Sequence, residues 1–99
     1  MGKNFDQIVQ DIKEHLKKSR KEYYSDFYIG ITEDVHRRLF VEHNVSRENS
    51  WYITRTAINE DTARKVEKYF LDLGMKGGAG GGTNPTIVYC YEISNNSKQ

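Results

Sequence analysis

The sequence predicts a small α/β domain in which a three-stranded sheet is flanked by three helices. Runs with helical and strand periodicity alternate along the chain, in the order helix, strand, helix, strand, helix, strand. The 99 residues are enough for one domain with one modest core. Aromatic residues make up 12% of the chain, with seven tyrosines among them, and supply large buried areas. Three strands need helices over them to be stable, so we expect a layered fold.

The first element is a helix, predicted over about residues 5–20. Asn4 and Gln7 have the spacing of a capping box. Apolar residues then recur at intervals of three and four, at Phe5, Ile8, Val9, Ile12 and Leu16. The last turn is basic, which complements the helix dipole, although a phosphate-contacting patch is the alternative. Ser25 and Asp26 predict a turn before the next element.

A strand over 27–31 runs directly into a helix over about 34–42. The strand is aromatic and β-branched, and Gly30 interrupts it. An isolated glycine in a strand often marks a close approach by backbone or ligand, which we expect here. Thr32 and Asp34 are both suitable N-cap residues for the helix. Residues 44–50 are polar and predict a loop.

The second strand is predicted over 51–56, with Trp51, Ile53 and Arg55 on one face. Asn59 then caps a helix over about 60–73, and Gly74 ends it. The apolar stripe of this helix is predicted at Ala63, Val66, Phe70 and Leu73.

Glycines dominate residues 77–82, which predict a flexible connector or, alternatively, a backbone-lined approach for a substrate. Asn84 and Pro85 are a turn signal. The last strand, over 86–93, is apolar on both faces, which is typical of a central strand. A polar tail begins at about residue 95.

Bulk charge and cysteine content exclude several classes of protein. The formal net charge is +1, so there is no global electrostatic signature for nucleic acid or a membrane surface. Cys90 is the single cysteine, which excludes an internal disulfide and a cysteine-based zinc cage. We expect a reducing, cytoplasmic location, with no signal peptide and no membrane-spanning segment.

Glu67 falls inside the apolar stripe of the helix over 60–73. An acid on an inward helix face is costly unless it is paired or coordinates something. A boundary glutamate whose carboxylate reaches water is the alternative. Tyr28, Arg38 and Glu67, with His43 or Glu42 near a helix end, are residue types that suit phosphodiester hydrolysis. Arginine neutralises developing charge, a carboxylate holds Mg²⁺ or Mn²⁺, and a tyrosine hydroxyl positions water.

Part of the chain resembles the GIY-YIG nuclease family. Tyr28-Ile29-Gly30, followed by Thr32, Asp34, Val35 and Arg38-Leu39, resembles that family's YIG-x-T-x-D-L-x-x-R-L pattern. The segment Glu67-Lys68-Tyr69-Phe70-Leu71 resembles the family helix that carries a metal-binding glutamate. The resemblance covers roughly residues 27–73. It implies that Arg38 is catalytic, that Glu67 binds the metal, and that His43 stands close to a further family position.

The GIY half of the pattern is absent from this sequence. In the family it lies on the first strand, so its loss would leave a gap in the sheet. The aromatic last strand is the predicted replacement, which makes Tyr89 or Tyr91 the substitute for the GIY tyrosine. Tyr23 or Tyr24 is the competing candidate.

The resemblance implies a metal-dependent endonuclease that cleaves DNA, or alternatively RNA, with Mg²⁺ or Mn²⁺. We assign Tyr28, Arg38, Glu67, Tyr89, Tyr91 and His43 to catalysis, and Gly30, Arg37 and Asn84 to substrate binding. The rival prediction is an inactive nucleic-acid-binding or protein-interaction module on the same fold. A lone domain of this size would gain specificity from a homodimer or a partner protein.

Overall fold

The computed structural model describes residues 2–19, 23–34, 37, 41, 52–78 and 85–93. Over these residues the chain forms a small α/β fold with a three-stranded antiparallel sheet and two helices. The helices are α1 (Phe5–Leu16) and α2 (Glu60–Asp72), and the strands are β1 (Phe27–Thr32), β2 (Tyr52–Thr56) and β3 (Ile87–Glu92). The predicted helix over 34–42 lies mostly outside the described residues, as do Trp51 and the polar tail from about residue 95.

The last strand is the centre of the sheet, which has the order β1-β3-β2 with both pairings antiparallel. Tyr91 of β3 lies opposite Tyr28 of β1 on one side and opposite Tyr52 of β2 on the other. The prediction that β3 is central and pairs with β1 is confirmed. Both faces of β3 are buried, since Val88 and Cys90 on one face and Tyr89 and Tyr91 on the other have no exposed surface. This burial accounts for its two-sided apolar pattern.

Both outer strands of the sheet are extended by short parallel bridges. Lys76 bridges to Tyr28 on the β1 side, and Lys3 bridges to Ala57 beyond β2. The Lys3 amide donates to the Thr56 carbonyl at 2.8 Å, and the Ile58 amide donates to the Lys3 carbonyl at 3.0 Å. These bridges pair backbone groups that would otherwise stand open along the sheet edges.

Helices α1 and α2 pack together on one face of the sheet, which we call the helical face. Alternation along β1 sends every second side chain to this face, and the inward stripes of both helices meet them. The fully or almost fully buried residues of this core include Ile8, Ile12, Ile29, Ile31, Ile53, Ala63, Val66, Phe70, Val88 and Cys90.

Helix α1 begins with the predicted capping box. The Gln7 amide donates to Asn4 Oδ1 at 2.8 Å, and the Asn4 amide donates to Gln7 Oε1 at 3.0 Å. The helix ends at Leu16, so the predicted end near residue 20 is wrong. The amides of Lys18 and Ser19 turn back onto carbonyls three residues earlier. No apolar residue follows Leu16 on the inward stripe, so nothing holds a further turn against the sheet.

Helix α2 begins at the predicted cap, where the Thr62 amide donates to Asn59 Oδ1 at 2.8 Å. It ends in a Schellman motif, in which the Met75 amide donates to the Phe70 carbonyl and Gly74 has φ of +116°. Glycine adopts that conformation without steric cost. Leu73 is 39% exposed, so its predicted place in the apolar stripe is wrong. It is the C-cap residue, and the chain has left the core there.

An ion cluster ties α1 to the end of the sheet. Asp11 Oδ2 accepts from Arg55 Nε at 2.9 Å and lies 3.1 Å from Lys3 Nζ. Hydrogen bonds from these two cations lower the pKa of the Asp11 carboxyl.

In the part of the chain that the structure describes, no helix is long and apolar enough to cross a membrane.

Candidate functional site

The face of the sheet opposite α1 and α2 carries a cluster of tyrosines from all three strands. We call it the tyrosine face, and its members are Tyr28, Tyr52, Tyr89 and Tyr91. The ring of Tyr28 stacks on that of Tyr91 with centroids 5.2 Å apart, and on that of Tyr89 at 6.3 Å. Opposite residues in an antiparallel ladder share a face, so the register of β3 creates this cluster.

Gly30 makes the approach of Tyr89 possible. The two residues lie opposite each other in the ladder. A Cβ atom at position 30 would stand 2.4 Å from both Cζ and the hydroxyl oxygen of Tyr89. The ring of Tyr89 therefore lies over the bare backbone of Gly30. The sequence predicts an approach by backbone or ligand at this glycine, whereas the approaching group is a tyrosine side chain. The assignment of Gly30 to substrate binding stays a prediction.

Burial differs among the tyrosines. Tyr89 and Tyr91 have no exposed surface, whereas Tyr28 retains 5%. Rings packed in this way are held in one orientation, which is what positioned hydroxyl groups require. The competing candidates lie elsewhere, since Tyr23 is 69% exposed and Tyr24 packs against the helical-face core. Of the two proposed substitutes for the GIY tyrosine, only the β3 pair lies beside Tyr28.

The hydroxyl of Tyr28 reaches Gly78 in the glycine run that follows α2. Gly77 and Gly78 are the described residues of this run, and we call them the glycine segment. A Cβ atom at position 78 would stand 2.8 Å from the Tyr28 hydroxyl oxygen. The sequence predicts for Gly78 only what it predicts for the whole run 77–82, a flexible connector or a backbone-lined approach for a substrate. The glycine run is the only sequence signal for this role. Gly78 lies 50 positions after Tyr28 in the chain, so their contact cannot be seen in the sequence.

By helical spacing, Glu67 and Tyr69 lie on opposite flanks of the buried stripe of α2. The ring of Tyr69 packs edge-on against Phe5 of α1 with centroids 5.7 Å apart. Leu71 lies one turn after Glu67 on the same flank and packs against Gly77. A Cβ atom added at Gly77 would stand 2.6 Å from Leu71 Cδ2. The flank of Glu67 therefore borders the glycine segment beside β1.

The Glu67 carboxyl is half-buried, and burial raises its pKa, with a smaller opposing effect from Arg64. Among the described residues, no hydrogen-bond donor is paired with this carboxylate. Its position at the border of the core fits both sequence interpretations, a boundary acid and a metal ligand. No hydrogen bond or ion pair between described residues joins Glu67 to the tyrosine face.

Several predicted site residues lie outside the described residues, namely Arg38, His43, Asn84 and the alternative Glu42. Arg37 is described and is exposed. Its amide donates to Asp34 Oδ1 at 3.1 Å, and the Asp34 amide donates to Thr32 Oγ1 at 3.0 Å. Both polar residues predicted to cap this segment therefore accept backbone hydrogen bonds.

Metal-ligating side chains do not cluster in the described ranges. No group of three or more His, Cys, Asp or Glu residues stands close enough together there to hold an ion. Glu67 would therefore act as a single protein ligand among these residues. One carboxylate, completed by water and phosphate oxygens, is a common way to hold Mg²⁺.

Cys90, the single cysteine, is fully buried on the helical face. Its Sγ lies 3.8 Å from Met75 Sδ, and burial strongly raises the pKa of the thiol. A thiol of this kind is not ionised near neutral pH and is a packing group.

An open groove of about 510 Å³ lies on the outer side of the helices, away from the tyrosine face. Its lining combines aromatic and charged side chains from α1 and α2: Phe5, Asp6, Lys65, Lys68, Tyr69 and Asp72. Lys13 donates a hydrogen bond to the Tyr69 hydroxyl beside it, which raises the pKa of the lysine. Charges of both signs line the groove, so it does not select a ligand by charge.

Comparisons with protein-family models, with curated proteins and with solved structures gave no match for this chain. The resemblance to GIY-YIG nucleases therefore depends on the motifs within residues 27–73.

Proposed function

We propose that this protein is a metal-dependent endonuclease that hydrolyses phosphodiester bonds in DNA, with a permuted GIY-YIG-like arrangement of its strands. The observation that carries the proposal is the pairing of β3 with β1, which brings Tyr89 and Tyr91 beside Tyr28. The resemblance implies two neighbouring strands that carry tyrosines, the GIY strand and the YIG strand. This sequence has the YIG strand, β1, but no GIY strand before it. In the proposed arrangement β3 is the second.

Glu67 is the residue that would hold Mg²⁺ or Mn²⁺. Its carboxylate is an oxygen ligand of the type these ions prefer, and it has no hydrogen-bond donor among the described residues. Burial disfavours its charged form, so a nearby divalent cation would restore that form. When bound, such an ion supplies charge stabilisation for the phosphoryl oxygens.

The other proposed roles belong to Tyr28 and Arg38. The hydroxyl of Tyr28 orients the attacking water by a hydrogen bond, while the Arg38 guanidinium donates two hydrogen bonds to the scissile phosphate. Tyr89 and Tyr91 hold the Tyr28 ring in place through stacking. Arg37 and Asn84 are proposed to contact the substrate, and His43 to assist proton transfer.

Nicking of supercoiled plasmid tests the proposal. With Mg²⁺ or Mn²⁺ the protein should convert supercoiled DNA to open circles, and chelation should stop the reaction. Glu67→Gln should abolish cleavage, whereas Glu60→Gln, the same change on the same helix, should retain it. Glu60 pairs with Arg64 on the exposed surface of α2, where ion pairs contribute little. Full activity of Glu67→Gln would overturn the assignment.

The second candidate function is a non-catalytic module that binds nucleic acid or protein. The burial of Tyr89 and Tyr91 favours it, because a hydroxyl without exposed surface has no direct access to a substrate. Labelled DNA and RNA duplexes in a mobility-shift assay separate the two functions. Binding without cleavage under any divalent metal would establish the module and reject the nuclease.

A further inference from the structure

The glycine segment after α2 is held in register with β1. Gly74 reverses the chain, and Lys76 then pairs with the outer side of β1. The Lys76 amide donates to the Phe27 carbonyl at 2.9 Å, and the Ile29 amide donates to the Lys76 carbonyl at 2.9 Å. These two hydrogen bonds fix which backbone atoms of the segment lie beside Tyr28.

Gly78 lies where the Tyr28 side chain ends. A Cβ atom at position 78 would be 2.8 Å from the Tyr28 hydroxyl oxygen, which is closer than van der Waals contact allows. The Tyr28 ring stacks against the rings of Tyr89 and Tyr91, so a movement of Tyr28 would disturb both contacts. Any residue larger than glycine would therefore displace the hydroxyl or the segment.

Gly77, the preceding residue, has a different environment. A Cβ atom there would meet Leu71 Cδ2 at 2.6 Å and the Ile29 carbonyl oxygen at 3.0 Å. Leu71 is 37% exposed and its side chain is free to rotate away. Both glycines are exposed, so a substitution at either one changes a surface segment. Neighbouring glycines thus differ in whether they contact Tyr28.

We propose that Gly78 is a positioning residue for the Tyr28 hydroxyl. The lack of a side chain at position 78 sets the distance at which the hydroxyl stops, while the Lys76 bridge sets the position of Gly78. This role rests on the proposed function, in which the Tyr28 hydroxyl orients the attacking water. It also gives the glycine segment a task beyond connecting α2 to β3.

The test compares Gly78→Ala with Gly77→Ala, each in the wild-type and Tyr28→Phe backgrounds. Tyrosines carry ¹³C at Cζ, and the Tyr28 resonance is assigned by its loss in Tyr28→Phe. Gly78→Ala should shift this resonance, and Gly77→Ala should leave it in place. For plasmid cleavage, Gly78→Ala should lower kcat by about tenfold with KM little changed, as expected for a misplaced catalytic group. In the Tyr28→Phe background it should cause no further loss.

An unshifted Tyr28 resonance in Gly78→Ala would overturn the proposal. So would an equal loss of kcat in Gly77→Ala, or an undiminished loss in the Tyr28→Phe background. The resonance measurement does not need activity. If the wild-type protein fails to cleave but the resonance shifts, the contact is established and the proposed function is the part that fails.

Discussion

Tyr89 lies directly opposite Gly30 in the ladder between β1 and β3, and its ring covers the Gly30 backbone. Glycine in the interior of a strand weakens it unless something else needs the space. Here a fully buried aromatic ring needs it. The motif residue Gly30 therefore has a packing role that is independent of any substrate.

Gly30→Ala should destabilise the protein by about 1–3 kcal/mol, the usual range for overpacking a core. The added methyl group would stand 2.4 Å from the end of the Tyr89 ring, which is fully buried and held between neighbours. Urea denaturation followed by circular dichroism measures the change. In a Tyr89→Leu background the same substitution should cost clearly less, because leucine is too short to reach the Cβ atom. An equal cost in both backgrounds would contradict the packing explanation.

Glu67→Gln should change how stability depends on pH. Burial raises the pKa of Glu67 in the folded state, so the folded protein binds its proton more tightly than the unfolded chain does. Stability is therefore lost as the pH rises from the usual glutamate value of 4.5 through the raised value. Glutamine does not titrate, so this loss should be absent in the variant.

The measurement for Glu67 is the free energy of unfolding of both proteins between pH 4 and about pH 7. As the pH rises, the free energy of unfolding of the glutamine variant should increase relative to that of the wild-type protein. Adding Mg²⁺ should then stabilise the wild-type protein and leave the variant unchanged, since binding to the folded state alone raises stability. A difference between the two proteins that does not vary with pH would contradict the prediction.

Arg38→Lys should lower the initial cleavage rate by roughly two orders of magnitude, the effect of losing a transition-state donor. Lysine keeps the charge but cannot donate in the forked geometry of a guanidinium. Arg37→Lys is the matched control, because the Arg37 side chain is exposed and lysine keeps the positive charge with which it is proposed to contact the substrate. It should retain most of the activity at saturating metal. Equal losses at both positions would indicate a diffuse basic patch.

Asp11→Asn should destabilise the protein modestly, by about 1 kcal/mol or less at neutral pH, since it removes two ion pairs that join α1 to β2 and its flanks. The pKa of Asp11 is lowered in the folded state, so its contribution is present at neutral pH and is lost as the pH falls below 3.8. High salt should also reduce it. Thermal unfolding at several pH values measures the difference.

Asp72→Asn is the control for Asp11. Asp72 pairs with Lys68 four residues away on the exposed surface of α2, at 3.2 Å. Loss of that pair should cost only a few tenths of a kcal/mol at most. If the two substitutions had the same effect, the cluster at Asp11 would contribute no more than an ordinary surface pair.

The elements with local signals could be predicted from the amino-acid sequence. The capping box at Asn4, the cap at Asn59 and the glycine stop at Gly74 all occur where predicted. The two-sided apolar pattern of residues 86–93 correctly predicted a central strand. Such signals are readable because they depend on hydrogen bonds and periodicity within a few residues.

Several contacts between residues far apart in the chain could not be predicted in this way. The contact of Gly78 with Tyr28, the cover of Gly30 by Tyr89 and the early end of α1 all depend on packing between segments far apart in the chain. Leu73 belongs to the helical period, yet the chain leaves the core there, and it is exposed. Periodicity gives the direction of a side chain from its own element. What fills the space in that direction is set by the arrangement that buries the most apolar surface of the whole chain.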